Sequence, residues 1–494
     1  MKRLISPALI GMLFMAANVN AEDMSLKKEI EQLKAQMQEL KKAQEKINIT
    51  ALRKELSEVK AHDGHDNIKW NVDFRTAYDY ISYKHASGKK DTNGVLTNRL
   101  WLNMAFAPNP NLAFFGTLAY YKTYGQQVGA TQGFNYFDWI VNESANPSDE
   151  LRVKEAYWLY RNNTFLGKDI PWTASIGRRP STDGSLANYR EDQRAKSPMA
   201  DIINMEFDGA SLGWDIENVT NVSGMYFKIC LGRGMSNVNS RYYGISANTT
   251  GAGGSYIVNP NATDYSKIDG FKNTDLAGFI FKPYDDGQYS VSTTWFKAYN
   301  LPGMVFAGMS GTTPTYNFEQ TGDMTGGAID FIADGIGDGI SDFLDSTVAF
   351  ASFAYSKSHP KNGLAMFGST DSQTGTNIYI GANWPCQLMS NARIGVEYNH
   401  GSKYWRSFTY SEDTLAGSKL ATRGDAYEIW INKDLMGKKF TAQLRYTYMD
   451  YKYTGSNAFF GDGGTPMTMD EAQAYGMDPV SKAQDIRLYL RYRY

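Results

Sequence analysis

The sequence predicts an all-β transmembrane barrel, antiparallel, of about 16 strands within a range of about 14 to 18, preceded by an α-helical coiled-coil segment. Three observations carry this reading. Aromatic residues make up 14% of the 494-residue chain, with 33 Tyr and 46 Gly, yet the mean hydropathy is −0.45. After the N-terminus no segment approaches the roughly 18 uninterrupted apolar residues that a membrane helix needs. From Ile68 onward apolar and polar residues alternate with period two, the period of a strand with unlike faces. The joins between these runs are short and long in turn, as in outer-membrane barrels.

In chain order, residues 1–21 read as a secretory signal peptide. Lys2 and Arg3 precede the apolar stretch Leu4–Ala17, and small or short residues stand at Val19, Asn20 and Ala21. Residues 22–60 contain no Gly or Pro, and Leu26, Ile30, Leu33, Met37, Leu40 and Ile47 keep a heptad seam with Gln44 at one polar position. A periplasmic coiled coil through residues 26–59 is expected, and with it a homo-oligomer. A single amphipathic helix lying on a surface is the alternative. Residues 61–67, with HDGHDN at 62–67, read as a linker. The two histidines there have no cysteine partner to complete a metal site.

Residues 68–494 hold the predicted barrel. The strands are placed at 68–80, 98–107, 111–121, 151–161, 172–179, 207–216, 222–233, 273–283, 288–299, 346–357, 363–368, 376–385, 392–401, 421–432, 438–452 and 484–494. Short joins fall at 108–110, 162–171, 217–221, 284–287, 358–362, 386–391 and 433–437, and long ones at 122–150, 180–206, 234–272, 300–345 and 453–483. Short turns belong to the periplasmic side, which places the coiled coil and the C-terminus there, in the cell outer membrane. An open sheet edge in lipid would leave backbone groups unpaired. The final stretch RLYLRYRY must therefore pair with residues 68–80, its Leu/Tyr face outward and Arg487, Arg491 and Arg493 inward.

The stretches RIGVEYNHGSKYW (393–405), KLATRGDAYE (419–428), SIGRRPSTDG (175–184) and FDGASLGW (207–214) resemble a family of porin-like Gram-negative outer-membrane proteins of unknown function. The resemblance implies a signal peptide, a coiled coil and a barrel. It supplies neither a substrate nor catalytic residues.

Alternation puts Lys69, Arg75, Arg99, Arg445, Arg487, Arg491 and Arg493 on inward faces near the closure, against Asp73, Asp79 and Asp485. Glu155, Glu397 and Glu428 face inward elsewhere, against Lys228. Walls of unlike charge across a water-filled pore tune ion selectivity, so these residues are the expected pore lining, with Glu397 and Glu428 opposite the basic wall. The bland alternative is pairing of these charges across strands. Arg178 and Arg179 are placed at the extracellular mouth, as a solute contact or as an anchor paired with Asp183 or Asp192. The charged segment 180–206 suits a constriction loop, though the sequence does not give its direction.

The expected function is passive diffusion of small hydrophilic solutes or ions, with a weak anion preference. The alternative is a scaffold barrel, either sheathing an electron-transfer partner or tethering the outer membrane through its coiled coil. A near-neutral net charge of −2 points away from nucleic acid. Cys230 and Cys386 form neither a disulfide framework nor a CxxCH haem motif, and no cofactor is expected. Asp334, Asp338, Asp342 and Asp345 lack EF-hand spacing and read as a solvated loop, with no metal. Catalysis is not expected either: His400, beside Ser402, falls at a lipid-interface position rather than in a pocket.

Overall fold

The computed structural model describes residues 68–125 and 151–494, apart from 183, 239–244, 248–255, 259–266, 268–269, 311–312, 338, 410–411 and 457–463. The signal peptide, coiled coil, linker and proposed oligomer contact (26–59), together with Asp183 and Asp338, lie outside the described residues.

Sixteen strands close into one barrel. They are β1 (Lys69–His85), β2 (Lys90–Asn109), β3 (Leu112–Thr123), β4 (Arg152–Asn162), β5 (Trp172–Arg179), β6 (Phe207–Asp215), β7 (Tyr226–Met235) and β8 (Thr274–Asp285). Then come β9 (Tyr289–Ser310), β10 (Thr313–Asp334), β11 (Val348–Pro360), β12 (Thr374–Pro385), β13 (Ala392–Gly401), β14 (Gly424–Met436), β15 (Phe440–Tyr451) and β16 (Val480–Arg493). Each strand pairs antiparallel with its sequence neighbours, and β16 closes on β1 with Arg491 opposite Arg75. Tyr494 and Val72 exchange backbone hydrogen bonds of 2.9 and 3.1 Å at the end of this seam. Closure leaves no edge strand, the condition for a sheet in lipid. Outward residues such as Leu444, Ile429 and Leu488 are about half exposed, whereas their neighbours Arg445, Glu428 and Arg487 are buried.

The predicted total of sixteen holds, but through two compensating differences. Residues 363–368 are a turn region rather than a strand: Asn362, Gly363, Phe367 and Gly368 all have positive φ, which a strand cannot accommodate. Residues 313–334, expected inside a long loop, are β10. Its Gly322, Gly326 and Gly327 look like turn signals but serve packing. A Cβ on Gly326 would lie 2.7 Å from the Phe296 ring and 3.2 Å from Ile202. Glycine in a strand often marks such a close approach.

This correction moves the turns. The segment 335–347, with Asp342 and Asp345 and with Asp334 at its entry, lies at the rim that also carries both barrel ends and the joins 110–111, 286–288, 386–391 and 437–439, here called the turn rim. His359 lies at the opposite, loop rim, its Nε2 2.9 Å from Thr325 Oγ1, and not in a short turn.

Two loop-rim segments fold into the lumen. Segment A (180–206) follows β5 and segment B (402–423) follows β13. Met199, Ile202, Ile203, Trp405 and Phe408 join wall residues Leu276, Phe296 and Met324 in one buried cluster. Leu186 and Leu420 pack with Phe350 and Tyr379 in another. The segments also hydrogen-bond each other: Asn204 N–H donates to Phe408 O and Phe408 N–H donates to Ile202 O, each at 2.9 Å. Burial of large apolar side chains stabilises by roughly 1.5–3 kcal/mol each, so the segments are held as a packed plug rather than a loose cover.

Candidate functional site: the plugged lumen

The site begins with strand register. Arg99, Arg75 and Arg491 lie side by side on β2, β1 and β16, and Arg487 lies opposite Arg445 on β15. Like charges directly opposite destabilise a sheet, so this row needs counter-anions. The wall supplies some. Arg491 Nε donates to Asp73 at 2.9 and 3.1 Å, Arg99 Nη2 donates to the same carboxylate at 3.3 Å, and Arg487 pairs with Asp79.

The plug supplies the rest. Asp413 of segment B accepts two hydrogen bonds from Arg75 and lies 3.3 Å from Arg487 and 4.0 Å from Arg99. Its backbone oxygen accepts from Arg445 Nη2 at 2.5 Å. Glu191 of segment A lies 3.3 Å from Arg445, 3.6 Å from Arg491 and 3.7 Å from Arg75. Burial alone would raise the Asp413 carboxyl, but the charges of Arg75, Arg487 and Arg99 hold it well below the usual carboxylate range.

The adjoining wall mirrors this arrangement with opposite sign: β14 pairs with β15, and Glu428 Oε2 lies 3.9 Å from Arg445 Nε, so the acidic wall stands beside the basic one rather than across the lumen from it as the sequence suggested. Glu397 and Glu428 are cross-strand neighbours on β13 and β14. Arg190 of segment A donates to both Glu428 oxygens at 2.9 and 3.0 Å. Lys419 of segment B bridges Glu428 at 2.6 Å and Glu397. Tyr379, Trp430 and Thr447 complete these carboxylates at 2.6, 2.9 and 2.7 Å. Each segment thus presents one anion to the arginines and one cation to the glutamates.

Of the sequence-derived lining, Arg75, Arg99, Arg445, Arg487, Arg491, Glu397 and Glu428 do face inward, but all are buried under the plug rather than bathed in an open pore. Lys69 is exposed at the start of β1. Arg493 is half-buried, its Nη1 3.0 Å from Asp192 O, where segment A reaches the turn rim. The mouth assignment is corrected for Arg178, which points outward and pairs with Asp208 at 3.0 and 3.3 Å. Strand parity separates it from Arg179, which lies inward over the Tyr157 ring, 4.4 Å from the centroid.

Segment B, with Asp413 and Lys419, was not singled out by sequence reasoning. Its signal was a loop carrying Trp405, Phe408 and Leu420 among charges, apolar residues that an exposed loop does not need. Beneath the plug at the turn rim is a polar cavity of about 580 Å³ bounded by Tyr189, Asp192, Asp334, Arg393, Asn432 and Lys438. His400 is on the outer face, its Nδ1 2.9 Å from Asp425, while Ser402 Oγ accepts from Thr376 N–H at 2.8 Å.

Among solved structures, the chain is similar to OprB of Pseudomonas putida, with 10% identity, a TM-score of 0.46, and 88% of this chain and 96% of that one covered. It is similar to an anion-selective porin from Comamonas acidovorans, with 10% identity, a TM-score of 0.45, and 87% and 99% covered. It is also similar to the outer-membrane channel DcaP of Acinetobacter baumannii, with 13% identity, a TM-score of 0.44, and 87% and 97% covered. No curated protein sequence matches the chain. A family model does match, over residues 89–494, and the chain therefore belongs to the family of proteins of unknown function DUF3373.

Proposed function

We propose that this protein is a porin-like channel of the outer membrane for passive diffusion of small hydrophilic solutes or ions, with weak anion preference, and that the plug closes or narrows its lumen. The observation that carries this reading is that the charged inner wall is paired only in part among its own strands and meets its remaining partners on two loop segments. About sixteen strands enclose an aqueous space, which about eight would fill with their own side chains. Here that space is filled from one rim by chain that the wall does not need for its own pairing. Both barrel ends and the short turns are assigned to the periplasm, and residues 26–59 to a homo-oligomer contact, which chemical cross-linking of the full chain against a chain lacking 22–60 reads directly. Catalysis is no part of this reading: His400 lies on the outer face, its Nδ1 2.9 Å from Asp425.

The test replaces 184–203 and 403–421 with short Gly/Ser linkers. These residues join strands that already pair as neighbours, so the barrel keeps its closure. In planar bilayers and liposome swelling, the shortened chain is expected to pass ions, sugars and amino acids several-fold faster than the full chain. The filled lumen also favours the second reading, a scaffold barrel for an electron-transfer partner or an envelope tether. Impermeability of both forms would favour that scaffold and end the channel reading.

A further inference from the structure

We propose that the five-arginine wall is a binding site for small dicarboxylate solutes, and that Asp413 and Glu191 are tethered occupants holding it closed until such a solute replaces them. This rests on the channel reading above and names its solute class and its gate.

Among the described residues, the carboxylate partners of Arg75 are Asp413 and Glu191, both from the plug. The nearby wall aspartates Asp73 and Asp79 serve Arg491, Arg99 and Arg487 instead. A wall built only for its own stability would place a wall carboxylate beside Arg75, whose neighbours across both strand pairs are arginines. Buried ion pairs are weak devices for stability in any case, because desolvation offsets the attraction.

The two plug carboxylates converge. Both lie against the same Arg75 Nη1, so they are spaced like the two ends of one short molecule. Guanidinium forks match carboxylates in geometry and charge. Arg99 Nε is buried without a hydrogen-bond partner among the described residues, a spare donor that a solute with more oxygens than the plug offers would satisfy. Exchange has a place to begin: the Asp413 side chain is 18% exposed, while those of Arg75, Arg99 and Arg487 are 5% or less. Once Asp413 and Glu191 are displaced, each segment loses its anionic contact with the arginine row, while Arg190 and Lys419 stay on the glutamates and the apolar clusters stay to redock the plug. A carboxylate tethered by a short loop competes at roughly millimolar effective concentration, so a solute at comparable concentration can replace it.

The experiment measures succinate, acetate, inorganic phosphate and glucose binding to the full-length detergent-solubilised barrel by calorimetry, and conductance of the same forms in bilayers. The Asp413→Asn/Glu191→Gln form is expected to bind succinate about tenfold more tightly than the unaltered chain, as removal of a tethered competitor requires. Acetate should bind more weakly than succinate, and glucose not at all. Gly375→Ala tests the gate with every charge kept. A Cβ there would lie 2.3 Å from the Trp405 N and Cα, forcing segment B off the wall, and the same gain in succinate affinity is expected. Asp413→Glu, which restores the carboxylate, should return affinity to that of the unaltered chain. Unchanged succinate affinity in both plug-releasing forms overturns the proposal, as does tighter binding of phosphate than of succinate. If those forms conduct without the gain, the channel stands and the dicarboxylate site falls. If they gain affinity but pass no ions, the site stands and the channel falls.

Discussion

Asp201 shows how one side chain of the plug responds to its surroundings. It is fully buried in segment A beside the Met199–Ile203 cluster, with Ser352 Oγ donating to Oδ2 at 2.5 Å and Oδ1 unpartnered. The other carboxylate in this corner, Asp330, accepts from Ser185 at 2.9 Å. Burial, with a smaller push from Asp330, raises the Asp201 carboxyl to about 7, against the pull of the Ser352 hydroxyl. In an undocked segment the group returns to water and to a value of about 3.9. The docked state then holds the proton more tightly. Docking is therefore strongest below about pH 4, weakens as pH rises toward about 7, and is flat above it. Asp413 does not blur this window: its folded value is depressed, so its contribution is present above about pH 4 and is lost only below it. Conductance of the unaltered chain is expected to rise between about pH 4 and about pH 7, and Asp201→Asn to remove the rise. An equal rise in the Asn form would place the pH response elsewhere.

At the scale of elements, the strands were legible because alternation needs only local sequence, and β16 could be paired with β1 from parity and closure alone. The charged wall was legible for the same reason: Arg75, Arg99, Arg445, Arg487 and Arg491 were assigned to inward faces from alternation, and the register bears out that they adjoin. The misplaced strand is instructive. TGDMTGGAID in β10 carries Thr, Asp and three glycines, turn chemistry by local rules. Gly326 answers to Phe296 on the neighbouring strand and to Ile202 of segment A, more than a hundred residues away in sequence, while Gly322 and Gly327 sit against His359 and Tyr355 of β11. Conversely GLAMFG at 363–368 had apolar residues but left-handed backbone positions. Segment A could be suspected from its charges, and its direction could not, because docking depends on what faces it across the lumen. Segment B needed the same non-local knowledge. Its Glu412 is spent internally, accepting from Thr409 Oγ1 at 2.7 Å and Lys419 N–H at 2.9 Å, which fixes the loop that delivers Asp413 to the arginines and Lys419 to the adjoining glutamates.

For the whole molecule, the plug and the wall together are nearly level in charge. On β1, β2, β15 and β16 five buried inward arginines face Asp73, Asp79 and Asp485. Glu191 and Asp413 make up the difference, and Arg190 and Lys419 do the same for Glu397 and Glu428. The field of the charged wall is therefore quenched while the plug is docked. It reappears when the plug leaves, with a surplus of arginines on β1, β2, β15 and β16 beside Glu397 and Glu428 on the adjoining β13 and β14. Charge rings in a narrow aqueous pore set ion preference through such fields, and low-dielectric walls focus them. The chain with both segments shortened is thus expected to prefer anions. Its reversal potential in a KCl gradient should lie on the chloride side, and Arg487→Ala/Arg491→Ala in that background should move it toward the potassium side. Raising the salt should weaken the preference, since the Debye length falls from about 10 Å at 0.1 M to about 3 Å at 1 M. A potassium preference in the shortened chain would mean that Glu397 and Glu428, not the arginines, govern the open lumen.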